Sequence, residues 1–146
     1  MEEECLKLEN QICFPLYVCS KEIIKRYKPF LDEIDLTYTQ YIVMMALWQY
    51  KKLNVKELGT YLFLDSGTLT PLLKKLEQKG YVTRTKFKKD ERNLIVAITP
   101  KGEKLKAKAK TIPYKMSECI KGLSYEDAME LQRLLRNVLN EFTKDV

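Results

Sequence analysis

The sequence predicts a mostly α-helical chain with one small β-hairpin, an α+β fold class. Apolar residues recur at helical spacing through most of the chain, and two short runs of β-forming residues lie close together in its second half. Residues that favour helix starts and ends separate these segments. With 146 residues and 45% hydrophobic content the chain can bury a core of its own, so we expect a single domain over residues 1–146.

The first helix is expected to end at Leu31. Its start is predicted at either Leu6 or Leu16, because Pro15 inside a helix would remove a backbone hydrogen bond and clash with the preceding turn. The apolar side of this helix carries, at helical spacing, Ile23, Ile24, Tyr27 and Leu31.

Capping signals mark the next two helices. Thr37, with Gln40 three residues later, forms a capping box for a second helix that runs through Trp48. Apolar residues on every side of this helix predict a buried position. Asn54 opens a short third helix that ends near Leu62.

A fourth helix is expected to start at Asp65–Ser66 and to stop at Gly80, a residue suited to the left-handed position after a helix. One side of it forms a complete apolar stripe of leucines at 69, 72, 73 and 76. Two β-rich runs at about 81–86 and 94–98 then predict a hairpin around the charged turn 87–93.

The remaining chain is helical again. Thr99 followed by proline predicts the start of a fifth helix, which Pro113 should end or kink, and a last helix opens at Ser124. Three helices followed by a two-stranded ribbon form a winged helix-turn-helix, here about residues 37–99. The flanking helices, about 6–34 and 100–143, have more apolar surface than one small domain covers, which predicts a dimerisation region and a homodimer.

Charge is concentrated in one part of the chain. Residues 51–110 hold sixteen Lys or Arg against six Asp or Glu, whereas the rest of the chain holds ten against fourteen. A locally basic region is what binding to a phosphate backbone requires, so we expect double-stranded DNA as a partner.

The composition disfavours an enzyme. The chain has no histidine, which removes the commonest general base and imidazole metal sites, and its four cysteines form no C-x-x-C pair. We therefore expect neither a cofactor nor a metal. No apolar run is long enough for a membrane span and the N-terminus is acidic, so a cytoplasmic protein with no membrane partner is expected.

The fourth helix presents small and basic residues opposite its leucines. Near its N-terminus, hydroxyls could bond base edges or phosphates, and lysines further along could bind phosphates. The predicted DNA contacts on this helix are Ser66, Thr68, Thr70, Pro71, Lys74 and Lys75. The alternative for this segment alone is an ordinary amphipathic surface helix.

The predicted hairpin turn is also basic. It contains Lys88, Lys89 and Arg92, and Asp90 could hold the Arg92 guanidinium by a bidentate pair. An arginine at such a tip can enter the adjacent minor groove of DNA, whose negative potential favours it. The alternative to DNA binding is an exposed turn whose charged residues only keep it soluble.

The segment Asp65–Glu77 closely resembles the recognition helix of MarR-family regulators, as do Arg84, Asp90–Arg92 and Leu94–Gly102. Within that family the sequence is most similar to the organic-hydroperoxide-resistance regulators. The resemblance runs from about residue 6 to 142. It implies a dimeric repressor on a pseudo-palindromic operator, with Arg84 and the hairpin residues among its DNA contacts.

The segment Leu8–Phe14, with Leu16–Tyr17, resembles the reactive-cysteine region of the same regulators. The resemblance implies that an organic hydroperoxide oxidises Cys13 and that Tyr27 and Tyr38 hydrogen-bond its sulfur. Tyr17 lies one helical turn further on. Some such regulators pair this cysteine with a C-terminal one of the other subunit, which would be Cys119, whereas others cap it with a small thiol.

Three other functions stay open. The first is a regulator of the same fold that releases DNA when it binds a small aromatic acid, instead of when a cysteine is oxidised. A thiol peroxidase would consume peroxide catalytically, although no basic residue adjoins Cys13 in sequence. A membrane-surface or adaptor module would use the lysine run 101–110, whose lysines spread around a helix instead of forming one face.

Overall fold

The first helix begins close to its proline. In the computed structural model, which describes residues 3–86 and 94–143, α1 spans Cys13–Asp32. Pro15 is therefore the third helical residue, where a backbone N–H has no intrahelical acceptor to lose. Both predicted starts, Leu6 and Leu16, are wrong for this reason. The residues before α1 form two short 3-10 turns, Glu4–Leu6 and Leu8–Asn10.

The second helix, α2, spans Tyr38–Tyr50 and confirms the predicted capping box. The Gln40 N–H donates to the Thr37 hydroxyl, and the Thr37 N–H donates to Gln40 Oε1 over 3.0 Å. Seven residues of α2 are buried, including Trp48, so this helix is central to the core as its all-round apolar pattern predicted.

A short strand, β1 (Lys52–Asn54), precedes the third helix and was not predicted. Three residues are too few to show the alternation by which a strand is recognised. The third helix, α3, spans Val55–Leu62, and Asn54 Oδ1 accepts the Glu57 N–H over 2.7 Å at its start.

The fourth helix, α4, spans Ser66–Gln78 and has Asp65 as its N-cap. All four leucines of the predicted stripe are buried. The chain leaves α4 through Gly80, whose φ of 83° is the left-handed conformation expected of a residue after a helix.

The hairpin consists of β2 (Val82–Lys86) and β3 (Leu94–Ile98), which pair antiparallel. β1 pairs with the other edge of β3, giving a three-stranded sheet in the order β1-β3-β2. Leu53 and Val82 both point into the core, as does Val96 on the central strand. The predicted turn 87–93 lies outside the described residues.

Helix α5 spans Pro100–Ala109 and begins with the Thr99 hydroxyl accepting the Gly102 N–H. As expected, the helix ends before Pro113, which lies in the first turn of α6 (Ile112–Cys119). The last helix, α7, spans Tyr125–Thr143, and Ser124 Oγ accepts the Asp127 N–H at its start.

By contacts the chain divides into two compact units, Met1–Ile112 and Pro113–Val146. The first contains the helices α1 to α5 and the sheet, which together form a winged helix with an added N-terminal helix. The second contains most of α6 and all of α7. Among the described residues, no helix is both long and apolar enough to cross a membrane.

Candidate DNA interface and cysteine site

The start of α4 is built by a side-chain cap. Asp65 Oδ1 accepts the Thr68 N–H over 2.7 Å, and the hydrogen bonds from Thr68 hold the pKa of Asp65 below its ordinary value. The Thr70 hydroxyl donates to the Ser66 carbonyl oxygen over 2.8 Å, which fixes its orientation along the helix. The cap thus satisfies an N–H group that the start of a helix leaves without an intrahelical acceptor.

The predicted contacts on α4 share one solvent-exposed side, opposite the buried leucines. Gly67 lies among them, and a Cβ there would meet only Asp65 Oδ1, at 3.4 Å, so this surface is open. The exposed residues are Ser66, Thr68, Thr70, Pro71, Lys74 and Lys75. Their contact with DNA stays a prediction.

Arg84 on β2 is held by a partner that sequence reasoning missed. Its guanidinium and its backbone N–H both donate to the carboxylate of Glu77 on α4, with an Nη2–Oε1 distance of 3.0 Å. The bonds from Arg84 lower the pKa of Glu77. Arg84 therefore ties α4 to the hairpin. The four other predicted hairpin contacts, Lys88, Lys89, Asp90 and Arg92, lie outside the described residues.

The two cysteines predicted to react both lie at helix termini, one at the start of a helix and one at the end of a helix. Cys13 is the first residue of α1 and Cys119 is the last residue of α6, and both are exposed, as are Cys5 and Cys19. Within residues 3–86 and 94–143, no group of three or more His, Cys, Asp or Glu side chains could hold a metal ion. Tyr17 is exposed one turn after Cys13.

Tyr27 and Tyr38 form an aromatic cluster where α1 meets α2. Their ring centroids are 5.0 Å apart, and Tyr41 joins them at 5.8 and 6.3 Å. Burial raises the pKa of all three phenols, that of Tyr41 to about 12, so they are neutral hydroxyl donors near neutral pH. Sequence reasoning missed Tyr41, because the apolar residues on every side of α2 indicated only that this helix is buried.

The cluster is remote from Cys13 of the same chain. Cys13 and Tyr27 belong to one continuous helix and are fourteen residues apart, which separates their Cα atoms by about 21 Å. The structure therefore brings Tyr27 and Tyr38 together but does not bring Tyr27 to its own Cys13.

A cavity of about 240 Å³ lies beside the cluster, between α1 and the start of α2. Its walls are mostly apolar in area, and they also include two lysines and one aspartate of α1, of which Lys28 and Asp32 are paired over 2.9 Å. The lining includes Ile24, Lys25, Lys28, Leu31, Leu36 and Tyr38.

Comparison with known proteins agrees with this architecture. The model of the SarA/Rot family of transcriptional regulators matches residues 25–109. The chain is 51% identical over 141 residues to the HTH-type transcriptional regulator SarZ of Staphylococcus saprophyticus, covering 97% of this chain and 96% of that protein. It is 46% identical over 129 residues to the organic hydroperoxide resistance transcriptional regulator of Bacillus subtilis, covering 88% and 85%.

Among solved structures, the chain is similar to reduced AbfR bound to DNA. The TM-score is 0.79 at 32% identity, with 98% of this chain and 99% of that chain covered. The disulfide form of AbfR matches with a TM-score of 0.62 at the same identity, covering 95% and 97%.

These relatives confirm the resemblance to MarR-type regulators and exclude the enzyme alternative, since they are DNA-binding transcriptional regulators. The family match covers more than half of the chain, and the relatives exceed 30% identity over most of its length. The chain therefore belongs to the SarA/Rot family of MarR-like winged-helix transcriptional regulators.

Proposed function

We propose that this regulator is a homodimeric, cytoplasmic repressor that leaves a pseudo-palindromic operator when an organic hydroperoxide oxidises Cys13. The observation that carries the proposal is the exposure of Cys13 at the first residue of α1. An exposed thiol at a helix start is accessible to a peroxide, whose oxygen a cysteine sulfur attacks. The similarity to an organic hydroperoxide resistance regulator and to the disulfide form of AbfR supports this role.

Dimerisation is proposed from apolar surface that one chain leaves in solvent. Around Cys13, Ile12 is 76% exposed, and Phe14 and Leu16 are both 41% exposed. The apolar side of α7 is exposed as well, with Leu131, Leu135 and Val138 at heptad-like spacing. A second copy that covers these surfaces would recover a hydrophobic free energy of roughly 25 cal/mol per Å².

The DNA-binding part follows from α4 and the hairpin. In a two-fold dimer, two copies of α4 would enter successive major grooves about 34 Å apart. Ser66, Thr68 and Thr70 would approach base edges, while Lys74 and Lys75 would neutralise phosphates. Arg84 would set the angle of the hairpin through Glu77. Hairpin contacts by Lys88, Lys89 and Arg92, with Asp90 orienting the arginine, complete the proposed interface.

The chemistry needs no cofactor. The Cys13 thiolate attacks the peroxide oxygen, the O–O bond breaks, and the products are a sulfenic acid and an alcohol. The sulfenic acid then condenses with a second thiol to form a disulfide and water. The second thiol would be Cys119 of the partner subunit or a small cellular thiol.

Tyrosine contacts to the sulfur would cross the dimer. Since α1 separates Cys13 from Tyr27 by about 21 Å within one chain, the tyrosine pair that bonds a given sulfur would come from the partner subunit. Tyr27 and Tyr38 are neutral near pH 7 and so can donate to a thiolate. Tyr17, one turn after Cys13, would border the same site.

A mobility shift tests the proposal. A duplex that the reduced protein selects from a random pool serves as operator, and binding is compared before and after cumene hydroperoxide for wild type, Cys13→Ser and Cys19→Ser. We expect wild type and Cys19→Ser to release the duplex and Cys13→Ser to retain it. Release by oxidised Cys13→Ser would refute the proposal.

A second candidate is control by a small aromatic acid, favoured by the cavity beside Tyr38. Its apolar walls suit a ring, and Lys25 could pair with a carboxylate, whereas Lys28 is already paired with Asp32. Salicylate should then raise the melting temperature of wild type and release the operator without oxidant, and a Lys25→Met variant should respond to neither test.

A further inference from the structure

The far end of the recognition helix is joined to the corner between α1 and α2. Lys79, the residue that ends α4, donates its Nζ to the Asp35 carbonyl oxygen over 2.5 Å. The same Nζ lies 3.4 Å from Asp35 Oδ2 and 3.4 Å from Gln40 Oε1. Three oxygens of one corner thus lie within 3.4 Å of the ammonium of the residue that directly follows α4.

Part of this corner is buried and hydrogen-bonded. Asp35 adopts a φ of 54°, a left-handed conformation that few residues adopt, and Gln40 is 4% exposed. Gln40 Oε1 also accepts the Thr37 N–H of the capping box, so its position is fixed from two sides. The Lys79 side chain is itself only 28% exposed, and Lys101 Nζ donates to the Lys79 carbonyl oxygen over 2.7 Å.

The tyrosine cluster shares the same corner. Tyr38 is the first residue of α2, directly after Thr37 and two residues before Gln40. Its ring packs on that of Tyr27 with centroids 5.0 Å apart. A shift of Tyr38 would therefore move the capping box, and with it Gln40 Oε1, one of the three oxygens near Lys79 Nζ.

We propose that Lys79 is a positioning residue that couples the tyrosine pair to the recognition helix, so that a change at Tyr27 and Tyr38 alters how α4 sits on DNA. The inference rests on the proposed redox function and adds the connection between its two sites. The competing explanation is that Lys79 simply binds a DNA phosphate.

The two explanations differ in salt dependence. A lost phosphate contact lowers the slope of log affinity against log salt by about 0.9 for each lysine removed. A lost positioning contact leaves the salt slope unchanged. It lowers operator affinity mainly in the reduced protein, because that is the state in which the orientation of α4 fits the operator. Operator affinity is therefore measured by fluorescence anisotropy for reduced and hydroperoxide-treated protein at several salt concentrations.

The variants are Lys79→Met, which keeps the chain length without donors, and Lys79→Arg, which keeps charge and donors. We expect Lys79→Met to shrink the ratio of reduced to oxidised affinity by roughly fivefold or more at an unchanged salt slope, a change of about 1 kcal/mol in coupling. Lys79→Arg should restore the ratio to within about twofold of wild type. Lys75→Met is the matched control, expected to weaken both redox states equally and to lower the slope.

Asp35→Asn provides a second variant that leaves Lys79 intact. Asparagine tolerates the left-handed conformation, so only the carboxylate partner is removed. If Lys79 is a positioning residue, Asp35→Asn should lower the ratio of reduced to oxidised operator affinity. If Lys79 binds a DNA phosphate, this ratio should stay unchanged. The proposal would be overturned if Lys79→Met kept the wild-type ratio of reduced to oxidised operator affinity. It would also be overturned if Lys79→Met weakened operator binding equally in both redox states and lowered the salt slope.

The proposed function can fail separately. If wild type did not respond to hydroperoxide, the reduced proteins alone would decide the positioning role. Operator affinity about fivefold lower in reduced Lys79→Met than in reduced wild type, at an unchanged salt slope, would support that role. Equal affinity of the two proteins would contradict it.

Discussion

Glu77 on the recognition helix accepts both the backbone N–H and the guanidinium of Arg84 on the first hairpin strand. The two residues are seven positions apart and are brought together by the turn at Gly80. Through this pair, the orientation of the hairpin relative to α4 depends on one carboxylate.

Replacing that carboxylate should loosen the hairpin. In Glu77→Gln the charge-assisted bonds are lost while the side-chain volume is kept, and we expect operator affinity to fall by roughly fivefold, or about 1 kcal/mol. Anisotropy titration measures the change, with exposed Glu126→Gln on α7 as the control. Unchanged affinity in Glu77→Gln would mean that the pair does not orient the hairpin.

Cys119 should decide the fate of the sulfenic acid. If it is the resolving thiol, hydroperoxide-treated wild type of 17.2 kDa per chain runs at twice that mass on a non-reducing gel. Cys119→Ser should stay monomeric on the gel and gain the mass of an added small thiol, while Cys19→Ser crosslinks normally. Crosslinking of Cys119→Ser would point to another thiol.

Tyr27 should accelerate oxidation across the dimer. Tyr27→Phe removes a donor to the thiolate, and we expect the rate of sulfenic acid formation to fall roughly fivefold, as for loss of about 1 kcal/mol of stabilisation. Mixed dimers test the direction of the contact. When Tyr27→Phe subunits are paired with Cys13→Ser subunits, the reactive sulfur faces an intact tyrosine and its rate should return to that of wild type. A slow mixed dimer would contradict a contact between subunits.

The buried Tyr41 should make the fold sensitive to alkali. Its pKa is raised from 10.0 to about 12, so the folded protein holds this proton more tightly than the unfolded chain does. The corresponding stability is fully present below pH 10 and is lost as pH rises towards 12, by about 2 to 3 kcal/mol. Urea unfolding at pH 9 to 12 should show that the free energy of unfolding falls less steeply with pH in Tyr41→Phe than in wild type. The exposed Tyr114→Phe should behave like wild type.

Gly102 is required by close packing. A Cβ there would lie 2.4 Å from the Tyr81 carbonyl oxygen and 2.8 Å from Ile98 Cγ1, and the Gly102 carbonyl oxygen accepts the Trp48 indole N–H. We expect Gly102→Ala to lower the free energy of unfolding by about 1 to 3 kcal/mol, as overpacking does. Gly122→Ala is the control, since a Cβ there meets nothing within 4 Å. Equal melting temperatures for the two variants would disprove this packing argument.

Much of the fold could be predicted because its signals are local. The caps at Thr37, Asn54, Asp65 and Thr99 each form within a few residues, and the structure has each of them bonded as the sequence indicated. The leucine stripe of α4 likewise needs only helical periodicity to define its buried side.

The sequence by itself determined helices α2 to α5 and α7, the hairpin strands, the basic region and the exposed side of α4, because capping and periodicity act between near neighbours. Only the tertiary structure decided β1, which exists through pairing with β3, and the partners of Glu77 and Lys79, which come from other elements. Such relationships depend on how distant segments pack, and no spacing along the chain encodes them.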